Sequence, residues 1–259
     1  MKLDIYQVDA FASEVFTGNP AAVVPLEEWL PAESMQKIAA ENNLAETAFF
    51  VREGDGYGLR WFTPTVEIGL CGHATLASAH VISEFLGDSS KALKFQSKGG
   101  ELIVRRNDKL LELDFPARPS HSTEAYPELV DAIGKQPESC LRSSDCMFVF
   151  ETEDEVAALS PNFNILEGLD EHAVIVTAPG KEYDFVSRFF APAVGVNEDP
   201  VTGSAHCTLI PYWSERLGKK EMVAKQISAR GGVIRCTFLG ERVLMAGTAV
   251  LYMKGEIYI

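Results

Sequence analysis

Apolar and polar positions along the first 115 residues predict a strand-rich region with two helices. Leu3 to Val8 alternates as a strand, and a strand pair at 47–52 and 57–62 follows. A helix is predicted from Pro31 to Asn42, because proline is favoured at the first helical position. A second helix is predicted from Gly72 to Leu86, and its first turns are almost wholly apolar or small. A helix without a polar face is typically buried on most sides.

The second half of the chain repeats this order of elements after a Pro- and Ser-rich linker at Pro116–Ser122. The pattern predicts a helix at 124–133 and a second apolar helix at Gly203–Leu217. Strands are predicted on both sides of that apolar helix, at 145–151, 173–178, 184–191, 222–229, 232–238, 242–248 and 249–258.

Three short motifs also recur in the same order and at nearly the same spacing. They are Arg60-Trp61-Phe62-Thr63-Pro64 with Arg188-Phe189-Phe190-Ala191-Pro192, Gly72-His73-Ala74 with Gly203-Ser204-Ala205, and the double glycines at 99–100 and 231–232. Glycine and proline are common at strand–loop–helix joints, so any one match could arise without a shared origin. Three matches in register with the predicted elements indicate a duplicated domain.

Composition and charge exclude several classes of function. The chain has 259 residues, 46% of them hydrophobic, and a net charge of −14. A nucleic-acid partner is therefore not expected, because phosphate binding needs clustered Lys and Arg. No apolar run approaches the roughly 20 residues of a membrane helix, so no membrane partner is expected.

The chain start and the cysteines predict a cytoplasmic protein without a metal. The first residues alternate like a strand and lack the apolar core of a signal peptide. Five cysteines are too few, and odd in number, for a disulfide scaffold. No CxxC or HExxH spacing is present, so a metal is not expected. Soluble proteins most often assemble as closed homo-oligomers, which makes a homodimer the expected assembly, although no interface is visible in the sequence.

The two repeated helix starts are candidate anion sites. The first N–H groups of a helix lack internal partners and carry partial positive charge. Gly72-His73 and Gly203-Ser204 begin the two buried helices, and glycine lets a ligand approach the backbone closely. We expect them to hold a substrate carboxylate between the two halves, since ligand sites favour domain interfaces.

Four polar residues are candidates for moving or holding a proton: Glu46, His73, Asp199 and Ser204. Glu46 precedes an apolar strand, where loss of water would favour the protonated carboxyl and suit a general acid or base. Each has a structural alternative. Glu46 could be a solvated strand-edge acid, and Asp199 and Ser204 could be helix caps. His73 could hydrogen-bond a loop.

Cys71 directly precedes the first Gly-His pair and could act as a nucleophile or proton carrier. The equivalent place in the second half holds Pro200 or Val201, so a symmetric two-cysteine mechanism is not expected. A small residue of the loop is the other interpretation of Cys71.

Five segments together resemble the PhzF-like phenazine-biosynthesis isomerase family. They are 8–11 (VDAF), 16–23 (FTGNPAAV), 43–49 (NLAETAF), 70–75 (LCGHAT) and 198–205 (EDPVTGSA). The resemblance implies an α+β fold like that of diaminopimelate epimerase, in which two pseudo-symmetric domains each wrap a mostly antiparallel, barrel-like sheet around a central helix. The expected domains are 1–116, joined by a returning strand at 250–259, and 117–249.

The resemblance also implies a cofactor-independent isomerase acting on a small carboxylic acid between the domains. Glu46 matches the family's acid/base, and His73, Asp199 and Ser204 match residues that position substrate and relay protons. Substrate contacts are expected from Asn19, Gly72, His73, Thr202, Gly203 and Ser204. Two alternatives stay open: an amino-acid racemase or epimerase that uses Cys71, and a binding protein that retains the fold without catalysis.

Overall fold

The computed structural model describes all residues from Met1 to Ile259. Its contacts divide the chain into two compact units, Met1–Phe115 with Met245–Ile259, and Pro116–Leu244. The boundaries expected from the sequence were 116/117 and 249/250. None of the helices has the length and hydrophobicity of a membrane span.

The first unit consists of nine strands and two helices. Its strands are β1 (Lys2–Ala10), β2 (Asn19–Leu26), β3 (Glu46–Glu53), β4 (Gly56–Phe62), β5 (Glu67–Ile68), β6 (Ala92–Ser97), β7 (Gly100–Asn107), β8 (Leu110–Pro116) and β17 (Ala249–Tyr258). Its helices are α1 (Ala32–Asn42) and α2 (Gly72–Glu84). β17, the last strand of the chain, pairs antiparallel with β1 over its whole length.

The second unit has the shorter strands and the remaining helices. Its strands are β9 (His121–Thr123), β10 (Ser139–Arg142), β11 (Cys146–Val149), β12 (Val174–Pro179), β13 (Phe185–Phe190), β14 (Glu221–Gln226), β15 (Gly232–Phe238) and β16 (Arg242–Gly247), which runs into the first unit. Its helices are α3 (Pro127–Ile133), α4 (Glu153–Ala158), α5 (Phe163–Glu167) and α6 (Gly203–Leu217), with a 3₁₀ helix at Pro192–Val194.

Strand pairing in the two units confirms the predicted duplication. β2 and β3 are parallel, β3 and β4 antiparallel, β4 and β6 parallel, and β6 and β7 antiparallel. β11 and β12 are parallel, β12 and β13 antiparallel, β13 and β14 parallel, and β14 and β15 antiparallel. The same alternation therefore builds both units.

α2 is the central helix of the first unit, as its apolar sequence predicted. It packs against β1, β2, β3, β7 and β17, and nine of its 13 residues are buried. α1 lies on the outside and buries only one face, with Met35, Ile38 and Ala39 packed against Phe49. The α+β class and the sheet around a central helix are thus as expected.

Local predictions were wrong at several element ends. α3 begins at Pro127 rather than at Glu124, because a residue before proline is pushed into extended backbone and proline fits the first helical position. α2 ends at Glu84 rather than Leu86. The predicted linker at 116–122 contributes its last residues to β9, which pairs with β10.

Candidate active site

Matching arginines hold the loops that lead into the two buried helices. Arg60 on β4 forms a two-pronged ion pair with Glu67, at 2.7 and 2.9 Å. Arg188 on β13 forms the same pair with Glu198, also at 2.7 and 2.9 Å. Such planar, doubled contacts fix geometry as well as add energy. The duplicated arginine motif therefore serves to set the course of each loop.

The starts of α2 and α6 leave their backbone N–H groups without a side-chain cap. The residues preceding the helices are Cys71 and Thr202, both extended, and neither side chain caps the helix. The residue at the N-cap position of α6 is Thr202, rather than Asp199 or Ser204. The equivalent of Cys71 is Thr202, rather than Pro200 or Val201, so the second unit still offers no cysteine there.

Glu46, Asn19 and His73 lie together in the first unit. Asn19 is the first residue of β2 and Glu46 the first residue of β3, and these strands are parallel, so their first residues lie at one edge of the sheet. His73 lies in the first turn of α2. Gly18 places Asn19, since its φ is +68° and a Cβ there would lie 2.2 Å from the Ala10 carbonyl oxygen.

The imidazole of His73 joins these residues into a chain. Its Nε2 lies 3.1 Å from Oε2 of Glu46, within ion-pair distance, and neither atom has a hydrogen-bond partner. Its Nδ1 lies 3.2 Å from Nδ2 of Asn19 and 3.5 Å from Sγ of Cys71. His73 and Asn19 are buried, while Glu46 is half-buried. Glu46 therefore combines a fixed partner with partial access to solvent.

Asn19 determines where a neutral His73 carries its proton. An amide nitrogen only donates, so Nδ1 of a neutral ring accepts and the proton is on Nε2, the ring nitrogen nearer Glu46. Burial opposes a charge on His73, but the Cys71 sulfur and the Glu46 carboxylate outweigh it and raise the pKa of His73. Burial, helped by Glu46, raises the pKa of Cys71, so Cys71 is a neutral thiol near pH 7. Glu46 is then the group that favours a charged His73.

Glu46, Cys71 and His73 also have the residue types of a metal site, with ligand atoms within 4.8 Å of one another. The imidazole lies between the other two ligands, with Nδ1 toward Cys71 and Nε2 toward Glu46. One ion cannot bind both through a ring placed this way. We therefore interpret the cluster as a chain of polar contacts, and the expectation of no metal stays a prediction.

Asp199 and Thr202 are held together in the second unit. The Thr202 hydroxyl donates to the Asp199 carboxylate. Gln226 on β14 accepts from the Thr202 backbone N–H at 2.8 Å and donates to the Asp199 carbonyl at 2.7 Å. Ser204 is exposed in the first turn of α6. Of the predicted residues in this unit, the structure joins Asp199 to Thr202 and leaves Ser204 at the surface.

Gln226 was not predicted from the sequence. It is fully buried, and its side chain makes three hydrogen bonds to the segment at 199–202. No local signal marked it, since the repeated double glycine begins only five residues later, at Gly231. A glutamine inside an alternating strand otherwise resembles any solvent-facing polar residue.

Gln226→Leu is expected to lower the free energy of unfolding by about 2 kcal/mol, because it leaves a buried N–H and a half-buried carbonyl without these partners. Urea unfolding measures the change. Gln96→Leu, at an exposed position of β6, is the control and should change stability by less than about 0.5 kcal/mol. Equal effects in the two variants would contradict the role assigned to Gln226.

Comparisons with known proteins agree with this architecture. A family model described as "Phenazine biosynthesis-like protein" (PhzC-PhzF) matches residues 8–255. An uncharacterized isomerase of Pseudomonas aeruginosa is 54% identical and covers 99% of both chains. The crystal structure of a PhzF-family phenazine biosynthesis protein from Enterococcus faecalis superimposes with a TM-score of 0.98 at 48% identity, covering 100% of both chains.

A more distant likeness concerns the fold alone. A hydroxyproline epimerase from Agrobacterium vitis shares 9% identity with a TM-score of 0.60, and covers 99% of this chain and 92% of its own. The epimerase-like fold is thus as the sequence predicted. The family-model match, the close relative and the closely superimposed structure agree across almost the whole length, and the chain belongs to the PhzC-PhzF phenazine biosynthesis-like family.

Proposed function

We propose that this chain is an isomerase that moves a proton between two carbons of a small carboxylic acid, with Glu46 as the group that carries the proton. The isomerase class is supported by relatives named as isomerases. The proposal for Glu46 is supported by one observation above all. Its carboxylate lies 3.1 Å from a buried imidazole and remains half-buried.

The contact with His73 gives the two Glu46 oxygens different tasks. Oε2 faces Nε2 of His73, which holds the carboxylate in one orientation. Oε1 is then the oxygen that takes a proton from a carbon of the substrate. The electron pair left behind is delocalised into a conjugated carbonyl or alkene, and protonated Glu46 returns the proton to the other end of that system. The step needs neither an oxidant nor a reductant.

The uncapped helix starts supply the proposed carboxylate clamp. The N–H groups that follow Cys71 and Thr202 are not engaged by a side-chain cap, and helix starts attract anions. The substrate contacts proposed here remain those expected from the sequence, at Asn19, Gly72, His73, Thr202, Gly203 and Ser204. Asp199 and Ser204 are proposed to complete the polar shell.

Isotope exchange tests the proposal even though the substrate is not identified. The protein is incubated in D2O with a panel of small unsaturated, cyclic and hydroxylated carboxylic acids, and deuterium in carbon positions is followed by NMR and mass spectrometry. Exchange coupled to a shifted double bond supports the isomerase. Tight binding without any exchange across the panel would instead support a binding protein.

A racemase that uses Cys71 is the second candidate, favoured by the 3.5 Å contact of its sulfur with His73. The raised pKa of Cys71 suits a proton donor better than a base, and Thr202 occupies the matching place in the second unit. Deuterium entering only the α-carbon of an amino acid, and lost in Cys71→Ser, would select this candidate.

Asn19→Ala is expected to lower kcat by about tenfold, because Asn19, besides its proposed contact with the substrate, donates to Nδ1 of His73 and positions that ring. Without the hydrogen bond from Asn19, the proton of a neutral His73 can move from Nε2, the nitrogen nearer Glu46, to Nδ1. Nitrogen-15 NMR of the histidines, recorded at a pH above the raised pKa of His73 so that the ring is neutral, reads the tautomer directly. Exposed Asn164→Ala is the control. An unchanged His73 tautomer in Asn19→Ala would refute the role.

A further inference from the structure

Two cysteines meet in the hairpin of β10 and β11. In the antiparallel register Cys140 lies opposite Phe148, and Arg142 lies opposite Cys146. Cys140 and Cys146 are therefore diagonal neighbours on one face of the hairpin. Their sulfur atoms are 3.5 Å apart, and both are free thiols.

We infer that Cys140 and Cys146 form a reversible dithiol–disulfide pair, a redox modification site that goes beyond the proposed isomerase chemistry. A disulfide bond is about 2.05 Å long, so the two sulfurs need to approach by about 1.5 Å. Side-chain rotation and a small shift of two short strands supply such a movement. No residue of the proposed proton chain takes part.

The two thiols differ in pKa and in exposure, and these differences indicate which of them reacts first. The hydrogen bond between the two sulfurs lowers the pKa of Cys140, and the Arg142 guanidinium adds to this against burial and Glu171. The same hydrogen bond, with burial, raises the pKa of Cys146. Cys140 is 7% exposed and Cys146 is 0% exposed. Cys140 is therefore the attacking thiolate and Cys146 the resolving thiol.

Hydrogen peroxide serves as the oxidant. The Cys140 thiolate attacks one peroxide oxygen, the O–O bond breaks, and hydroxide leaves, so Cys140 becomes a sulfenic acid. The Cys146 sulfur then attacks the Cys140 sulfur and displaces a second hydroxide, which leaves as water with the Cys146 proton. In sum, two thiols and one peroxide give one disulfide and two waters. A dithiol reductant reverses the change.

Arg142 makes the test direct, because trypsin cleaves after it and separates the two cysteines. The reduced full-length protein is treated with stoichiometric hydrogen peroxide, and remaining thiols are blocked before digestion. We expect the intact mass to fall by two hydrogens and peptides 136–142 and 143–181 to remain joined until a reductant is added. Those peptides appearing separately, with oxygen added to Cys140, would overturn the inference.

Single-cysteine variants provide the controls. Cys140→Ser and Cys146→Ser should each lose the joined peptides, whereas Cys71→Ser and Cys207→Ser should keep them. If Cys140→Ser or Cys146→Ser does not fold, the peptide map of the wild-type protein still shows whether the two cysteines are joined. Two other outcomes would also count against the pair. One is a disulfide to another cysteine. The other is the formation of only mixed disulfides when the protein is treated with oxidised glutathione.

Discussion

Glu46→Gln is expected to lower the isomerisation rate by about 10²–10⁴-fold and to leave the fold intact. Glutamine has nearly the same shape and can keep its amide oxygen beside Nε2 of His73, but it cannot take a proton from carbon. The loss should fall on kcat, since the substrate carboxylate is proposed to bind elsewhere, at the helix starts. Turnover of an identified substrate and urea unfolding measure the two effects.

A control substitution of a second glutamate separates the loss of proton transfer from the loss of one negative charge. Glu41 is exposed on α1, so Glu41→Gln removes the same charge from the surface and should keep the wild-type rate. Glu46→Gln also removes the carboxylate that favours a charged His73, so the pKa of His73 should fall in this variant. A Glu46→Gln protein with substantial isomerase activity would refute the central proposal.

Acid is expected to destabilise the protein by about 3 kcal/mol through one buried histidine, His206. It is fully buried on α6, its Nδ1 donates to the Thr202 carbonyl at 2.7 Å, and Nε2 has no partner. Burial lowers the pKa of His206 to about 4, against the hydrogen bond to Thr202. Nothing near Nε2 stabilises a second proton, and the ring faces Phe185.

The lowered pKa of His206 determines how the stability of the protein changes with pH. Above about pH 6.5 His206 is neutral in both the folded and the unfolded chain, and its contribution is complete. As the pH falls toward 4, His206 binds a proton in the unfolded chain but stays largely neutral in the folded protein. A difference of about 2.5 pKa units corresponds to about 3 kcal/mol, lost progressively over this range.

His206→Gln keeps a donor for Thr202 and removes the titration, so its stability should depend less on pH between 6.5 and 4. Urea unfolding at several pH values measures the slope, and exposed His121→Gln is the control. NMR titration of the folded wild type gives an independent measurement. A His206 that titrates near 6.5 in the folded protein would contradict the prediction.

Much of the fold was predictable because local sequence carries it. The nearly uniform apolar run after Gly72 identified a central helix, and the repeated arginine and glycine motifs identified two related units. Short elements were missed. α4 has a capping box between Thr152 and Glu155 that could have been recognised. β9 and β10 are too short for a period-2 pattern to stand out.

The candidate site was predictable only as a set of residue types. A motif could identify Glu46 and His73, but not that Nε2 of one lies 3.1 Å from Oε2 of the other. Gln226 and His206 gave no local signal, because their importance comes from burial and from partners such as Thr202 elsewhere in the chain. The substrate roles of all these residues stay predictions.

Sequence alone determined the duplicated α+β architecture and the family, because hydrophobic periodicity and ordered motifs act over short stretches of chain. Tertiary structure alone decided which atoms meet. Asn19, Glu46 and His73 are brought together by parallel strands and a helix start, and Cys140 meets Cys146 through the register of one hairpin. Proton position, pKa and thiol pairing depend on such distances, which no local pattern encodes.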